Sequence, residues 1–220
     1  MVADTAPTQT SLTELDDPHA ANRRVMRTFS MFVSVGYLIY GVLCIPLIIA
    51  AVPLAATWWT VVAVILTLGT GLAMGVLSWR ADIPRIRIAS GTACVGFLLA
   101  TALWWPAWNG NLISTVQGIW FAQFPGLAAI AAVIAVRTSV GFVVLAILVV
   151  NTVLADNAVH EPGATGSLIG DLAWGYVFSM VFVAAAGMGL RAARILDATR
   201  AEAYAATAAA AAEQARAVER

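Results

Sequence analysis

Apolar runs, each about as long as a bilayer is thick, follow one another through this chain and leave few folds open to it. A hydrocarbon core of about 30 Å needs about 20 apolar residues as a helix. Six runs qualify, at residues 29–51, 58–79, 88–105, 112–136, 140–155 and 172–190. Composition agrees, because 61% hydrophobic against 11% charged residues, with a mean hydropathy of +0.86, is too apolar for a soluble single-core domain. The expected fold class is therefore all-α: a polytopic membrane protein with six transmembrane helices, followed by a long C-terminal cytoplasmic helix.

The arginines orient the spans. All twelve basic residues are arginine, and they lie between or beyond the apolar runs. With the N-terminus in the cytoplasm, Arg23, Arg24 and Arg27 precede the first span, and Arg80, Arg85, Arg87 and Arg137 fall in inner connections. Arg191, Arg194, Arg200, Arg216 and Arg220 follow the last span, so every arginine is inside, as the positive-inside rule favours. This places the protein in the plasma membrane with both termini cytoplasmic. Three regions result: an acidic, disordered tail with a basic flank at 1–27, a six-span domain at 28–190, and a signalling helix or coiled coil at 191–220. No cleaved signal peptide is expected, because the apolar run after Arg27 is too long for a signal core.

Seven of the eight tryptophans fall at or near the outer side of this map, leaving Trp79 at the inner face. They read either as an interfacial belt or as an aromatic outer pocket formed by Trp104, Trp105, Trp108, Trp120 and Trp174 with Asn109, Asn111, Gln117 and Gln123 nearby. Asp156, His160 and Glu161, with Asp171 just beyond, add carboxylates and an imidazole to the same side. Asp156 and His160 would share a helical face, but Pro162 and Gly163 interrupt regular structure beside them. A solvated acidic loop and an ion or pH sensor are both compatible with that pattern.

The span centres carry no charge, which argues against a proton-coupled carrier and an arginine-repeat voltage sensor. Cys44 and Cys94 lie at different depths and read as packing residues, not a disulfide. Gly71 and Gly75, one turn apart, permit close helix approach, within one subunit or across a dimer. Pro46 and Pro125 each remove a backbone donor and are expected to kink spans one and four. No cofactor or metal set is evident, and no clustered nucleophile and base support a membrane enzyme.

Residues 191–220 differ from everything before them. They are rich in alanine, with Arg, Glu and Gln and no proline or glycine, so helix propensity is near its maximum. Arg194, Asp197 and Arg200 recur at i+3 spacing, which predicts local pairing. Two weak seams are open, one through Ala193, Leu196, Arg200 and Ala203, the other through Leu196, Thr199, Ala203, Ala206 and Ala210. Transmission is expected to run through Arg191, Leu196, Ala203 and Ala210.

Six spans with cytoplasmic ends, then a helix finishing Ala-Glu-Gln-Ala-Arg-Ala-Val-Glu-Arg, resemble the N-terminal transmembrane sensor region of actinobacterial sensor histidine kinases. The resemblance covers the whole chain in architecture but only 191–220 in specific texture. In that family such a helix leads into the dimerisation helix with its phosphoacceptor histidine, followed by an ATP-binding domain. Here the two histidines are His19 and His160, neither on the cytoplasmic helix, and no glycine-rich nucleotide loop or asparagine box follows the last span. No catalytic residue carries over. What the resemblance implies is a sensing and signal-transmission module of a two-component receptor, a homodimer joined through the C-terminal helix, and a cytoplasmic kinase domain or response regulator as partner. It also implies that the natural chain continues past Arg220. The lipid bilayer is a further expected partner, and nucleic acid is not. The competing reading is a small solute transporter or permease-like protein, which would tolerate deletion from Ala198 onward.

Overall fold

In the computed structural model, which describes residues 19–113, 118–161 and 167–218, the chain is all-α. The acidic tail up to residue 18, Gln117, Pro162, Gly163 and the terminal Glu219 and Arg220 lie outside the described residues. The longer helices are α1 (Ala20–Leu43), α2 (Ile45–Ala51), α3 (Thr57–Ser78), α4 (Ile83–Ala102), α5 (Pro125–Ala135), α6 (Thr138–Val159) and α7 (Leu168–Val218). Short turns at Val52–Leu54, Trp104–Ala107 and Trp120–Gln123 complete the path. The β pairings among the described residues are two isolated bridges, Ala55 with Trp108 and Ile113 with His160.

Five helices are long and apolar enough to cross a membrane: α1, α3, α4 with its continuation to Ala107, α6 and α7. Large apolar side chains stand exposed along them, among them Val76 at 77% and Ile88 at 70%. Water would penalise such a surface and hydrocarbon would not, so the helices suggest a membrane protein.

The fourth expected span is the main departure. The described part of residues 112–136 is not one helix; the 3-10 turn Trp120–Gln123 precedes α5, which has only 11 residues. At 1.5 Å per residue α5 is about 16 Å long, half of a bilayer core. Pro125 explains the register. It has no N–H to give to a preceding turn, but at the first position of a helix that donor is not needed. The expected mid-span kink is thus a helix start. At Pro46 the expectation holds better, since α1 ends at Leu43 and α2 begins at Ile45 with the proline in its first turn.

Within residues Met26–Met188, which form one compact unit, α5 is the centre. From Leu127 to Ile134 every side chain of α5 is buried, and the helix packs between α4 and α6. Helix α4 also packs on α3, where Gly96 lies against the Leu66 carbonyl so closely that no side chain would fit. That carbonyl belongs to a stretch where α3 widens into a π-turn, Ile65–Gly69, and Thr70 Oγ1 donates to it at 2.6 Å. Gly71 and Gly75 face Tyr37 and Ser34 of α1, so this glycine pair serves packing within the chain. Helix α7 meets α6 where Gly141 receives Val183 and Gly187 receives Thr138.

The second unit joins Met1–Val25 to Gly189–Arg220. Among its described residues, Leu190, Ala193 and Asp197 are buried at spacings that put them on one face of α7. The Asp197 carboxylate accepts N–H bonds from Ala21 at 3.0 Å and Asn22 at 2.9 Å. It therefore caps the first turn of α1 from another helix, a role usually filled by a side chain just before the helix. From 198 to 217 every side chain is exposed.

Candidate functional site

Three of the tryptophans build a core instead of an outer surface. Trp59, Trp104 and Trp120 are fully buried, and Phe121 fills the space among them. Ring centroids lie 4.8 Å apart for Trp59 and Trp104, 5.5 Å for Trp104 and Phe121, and 5.7 Å for Trp120 and Phe121, in tilted or edge-on geometries. Trp59 Nε1 donates to the Ala100 carbonyl at 3.0 Å, whereas Trp104 Nε1 and Trp120 Nε1 are buried without an acceptor among the described residues. The expectation that Trp104 and Trp120 belong to a sensing surface is corrected by this packing. Trp105, Trp108 and Trp174 do remain at the surface. Trp105 donates to Asn151 Oδ1 at 2.7 Å, Trp108 donates to the Asn111 carbonyl at 3.1 Å, and Trp174 stacks on Phe178 at 6.0 Å.

The acidic cluster is also put to structural use. Asp156, in the last turn of α6, accepts the Ile119 N–H through Oδ1 at 2.6 Å. A side chain at position 118 would stand 2.8 Å from that oxygen, so Gly118 lets the carboxylate approach. His160 Nδ1 lies 2.5 Å from the Asp156 carbonyl oxygen, which can only accept, so that ring nitrogen carries the proton. Ile113 N–H donates to Val159 O at 2.7 Å and Glu161 N–H to Ile113 O at 3.3 Å. Asp156, His160 and Glu161 thus lie where Ile113 and Ile119 are tied to the end of α6. Glu161 is exposed, and Asp171 is half-buried in the first turn of α7, where its charge suits the helix dipole. Among the described residues no three His, Cys, Asp or Glu side chains group as metal ligands.

What the start of α5 at Pro125 does create is a crevice of about 290 Å³ where α1, α5 and α7 meet. Its walls are largely Phe32, Phe124, Phe178 and Phe182, and its polar groups are the Tyr40 hydroxyl, the Gln123 amide and the Ser179 hydroxyl. Phe124 is held at the base by edge-on contact with Tyr37 at 5.8 Å and Phe97 at 5.4 Å. Gly36 and Gly126 open the space, because a methyl group on either would press on Leu127 or Ser179. An apolar enclosure with a few convergent hydrogen-bonding groups is the usual form of a small-molecule site, and discontinuous helices supply such sites in membrane proteins.

Of these residues the sequence reading named only Gln123 as polar company for the tryptophans. Tyr40 and Ser179 sit in apolar runs and carry no local signal; their convergence depends on where α5 begins. On α7, Arg191, Leu196, Ala203 and Ala210 are all exposed. Asp197, expected to pair along its own helix, instead caps α1. Comparison with family models, characterised proteins and solved structures yields no match to this chain.

Proposed function

We propose that this chain is a membrane-embedded sensing and transmission module, and that the crevice beside α5 is where its stimulus acts. The observation that carries the reading is that Phe178, Ser179 and Phe182 line the crevice from α7, the same helix that is assigned without a break to Val218. A molecule seated against Ser179 acts directly on the helix that leaves the apolar region. In this reading residues 112–136 cross the bilayer as the fourth of six spans, with α5 as its helical part, and both chain ends are cytoplasmic. The exposed stretch at 198–217 pairs with a second copy of the chain and passes the signal to a cytoplasmic kinase domain or response regulator. Two packings of that pair, biased by what occupies the crevice, make the switch.

Cysteine cross-linking in native membranes tests it. Single cysteines at Leu196 and Ala203 are each expected to give a disulfide-linked dimer, and Ser179→Trp, which fills the crevice, to change the ratio of the two yields. No dimer bond at either position defeats the paired-helix arrangement, and an unchanged ratio defeats the crevice as its input.

A further inference from the structure

A second concavity, with a volume of about 880 Å³, opens where α1, α3 and α4 meet at the end bearing Arg80 and Arg85. Its long walls are apolar, and Val76 and Ile88 stand beside it with most of their surface uncovered. One end is polar and positive. Arg80 and Arg85 line it, and Arg27 reaches the same place, donating from Nε and Nη2 to the Ala81 carbonyl at 3.2 and 2.8 Å. The one acidic residue in the α3–α4 connection, Asp82, pairs with Arg85 at 3.6 Å, with side chains 60% and 80% exposed respectively, a geometry worth little where solvent reaches it. Trp79, exposed at the junction between the apolar wall and the arginines, has the amphipathic ring that prefers a headgroup zone.

We propose that this groove binds an anionic phospholipid, with the phosphate at Arg80 and Arg85 and an acyl chain along Val76 and Ile88. Charge complementarity selects the occupant: apolar walls accept any acyl chain, but guanidiniums at one end favour a headgroup with net negative charge over a zwitterionic one. The inference rests on the bilayer-spanning part of the reading above and not on signalling, so its failure and the failure of the cross-linking test are separate results.

The test is native mass spectrometry of the full chain, delipidated in detergent and titrated with dioleoylphosphatidylglycerol or dioleoylphosphatidylcholine. The anionic lipid is expected to bind about tenfold more tightly. In the Arg80→Gln, Arg85→Gln double variant that preference should fall below about twofold, while Arg137→Gln, a charge change outside the groove, should leave it at about tenfold. Ala73→Phe, which fills the groove wall from an exposed position and keeps both arginines, should weaken both lipids. An undiminished preference in the double variant overturns the proposal, as does an equal loss in Arg137→Gln, which would mean attraction to net charge alone. Glycerol 3-phosphate is expected not to displace the lipid; displacement at equal concentration would make this a phosphate site and not a lipid site.

Discussion

The aromatic core around Trp104 and the exposed half of α7 are built from equally simple compositions and reach opposite ends. Around Trp104, Trp59, Trp120 and Phe121, rings from three separate segments interlock until little surface is left. From 198 to 217, α7 is regular and every side chain is exposed. The first region owes its order to tertiary contact and the second to backbone propensity. Alanine and arginine hold a helix with little help from neighbours, whereas residues 118–124 have no such intrinsic preference and are held by the surrounding rings and by Asp156.

This contrast can be broken most sharply at the tryptophans. Trp104→Ala is expected to cost about 3–5 kcal/mol, as a large cavity opens among rigid rings, against less than about 1 kcal/mol for Trp105→Ala, measured by thermal unfolding in detergent. Equal losses would mean that the two neighbours share one environment. Next in size, Gly96→Ala should cost about 1–3 kcal/mol because its methyl meets the Leu66 carbonyl, part of a backbone that cannot rotate away. Gly91→Ala meets only the Ala135 methyl at 3.8 Å and should stay within about 0.5 kcal/mol.

The smallest effects belong to α7. Asp197→Ala removes the cap on α1 and should cost about 1 kcal/mol, with faster hydrogen exchange at the amides of Ala21 and Asn22. Leu196→Ala, one residue away but exposed, should change stability by less than about 0.5 kcal/mol. If exchange at Ala21 and Asn22 were unaltered by Asp197→Ala, the cap would be absent in solution and the buried face of α7 would end sooner.

Much of the helical plan was legible because apolar length is a strong signal. The runs at α3, α4 and α6 match their helices to within a few residues, as where the polar turn Ile83 to Arg87 joins α4, whereas the first run, expected at 29–51, divides into α1, which starts nine residues earlier at Ala20, and α2. The fourth run misled because hydropathy reports burial and not conformation. Residues 119–135 are indeed buried for the most part, but Phe124 and Pro125 stop the helix halfway. Gly71 and Gly75 were recognised as a contact, though their partner Tyr37 was not, since spacing identifies a smooth face and says nothing of what it meets. Asp197 was legible only as a helical neighbour of two arginines. Its use as a cap joins residues 175 positions apart, as seen in its bond to Asn22, and no local pattern encodes such a pairing.

By itself, then, the sequence determined that this protein is a set of long apolar helices ending in an alanine-rich one, because length, hydropathy and helix propensity are properties of contiguous segments. Only the tertiary structure decided that α5 is an 11-residue helix starting at Pro125, that Trp104 and Trp120 are core, that Asp156 tethers Ile119, and that Tyr40, Gln123 and Ser179 converge. Each of these depends on shape fitting and hydrogen-bond satisfaction between segments far apart in the chain, where a single proline start or one close glycine sets which side chains meet.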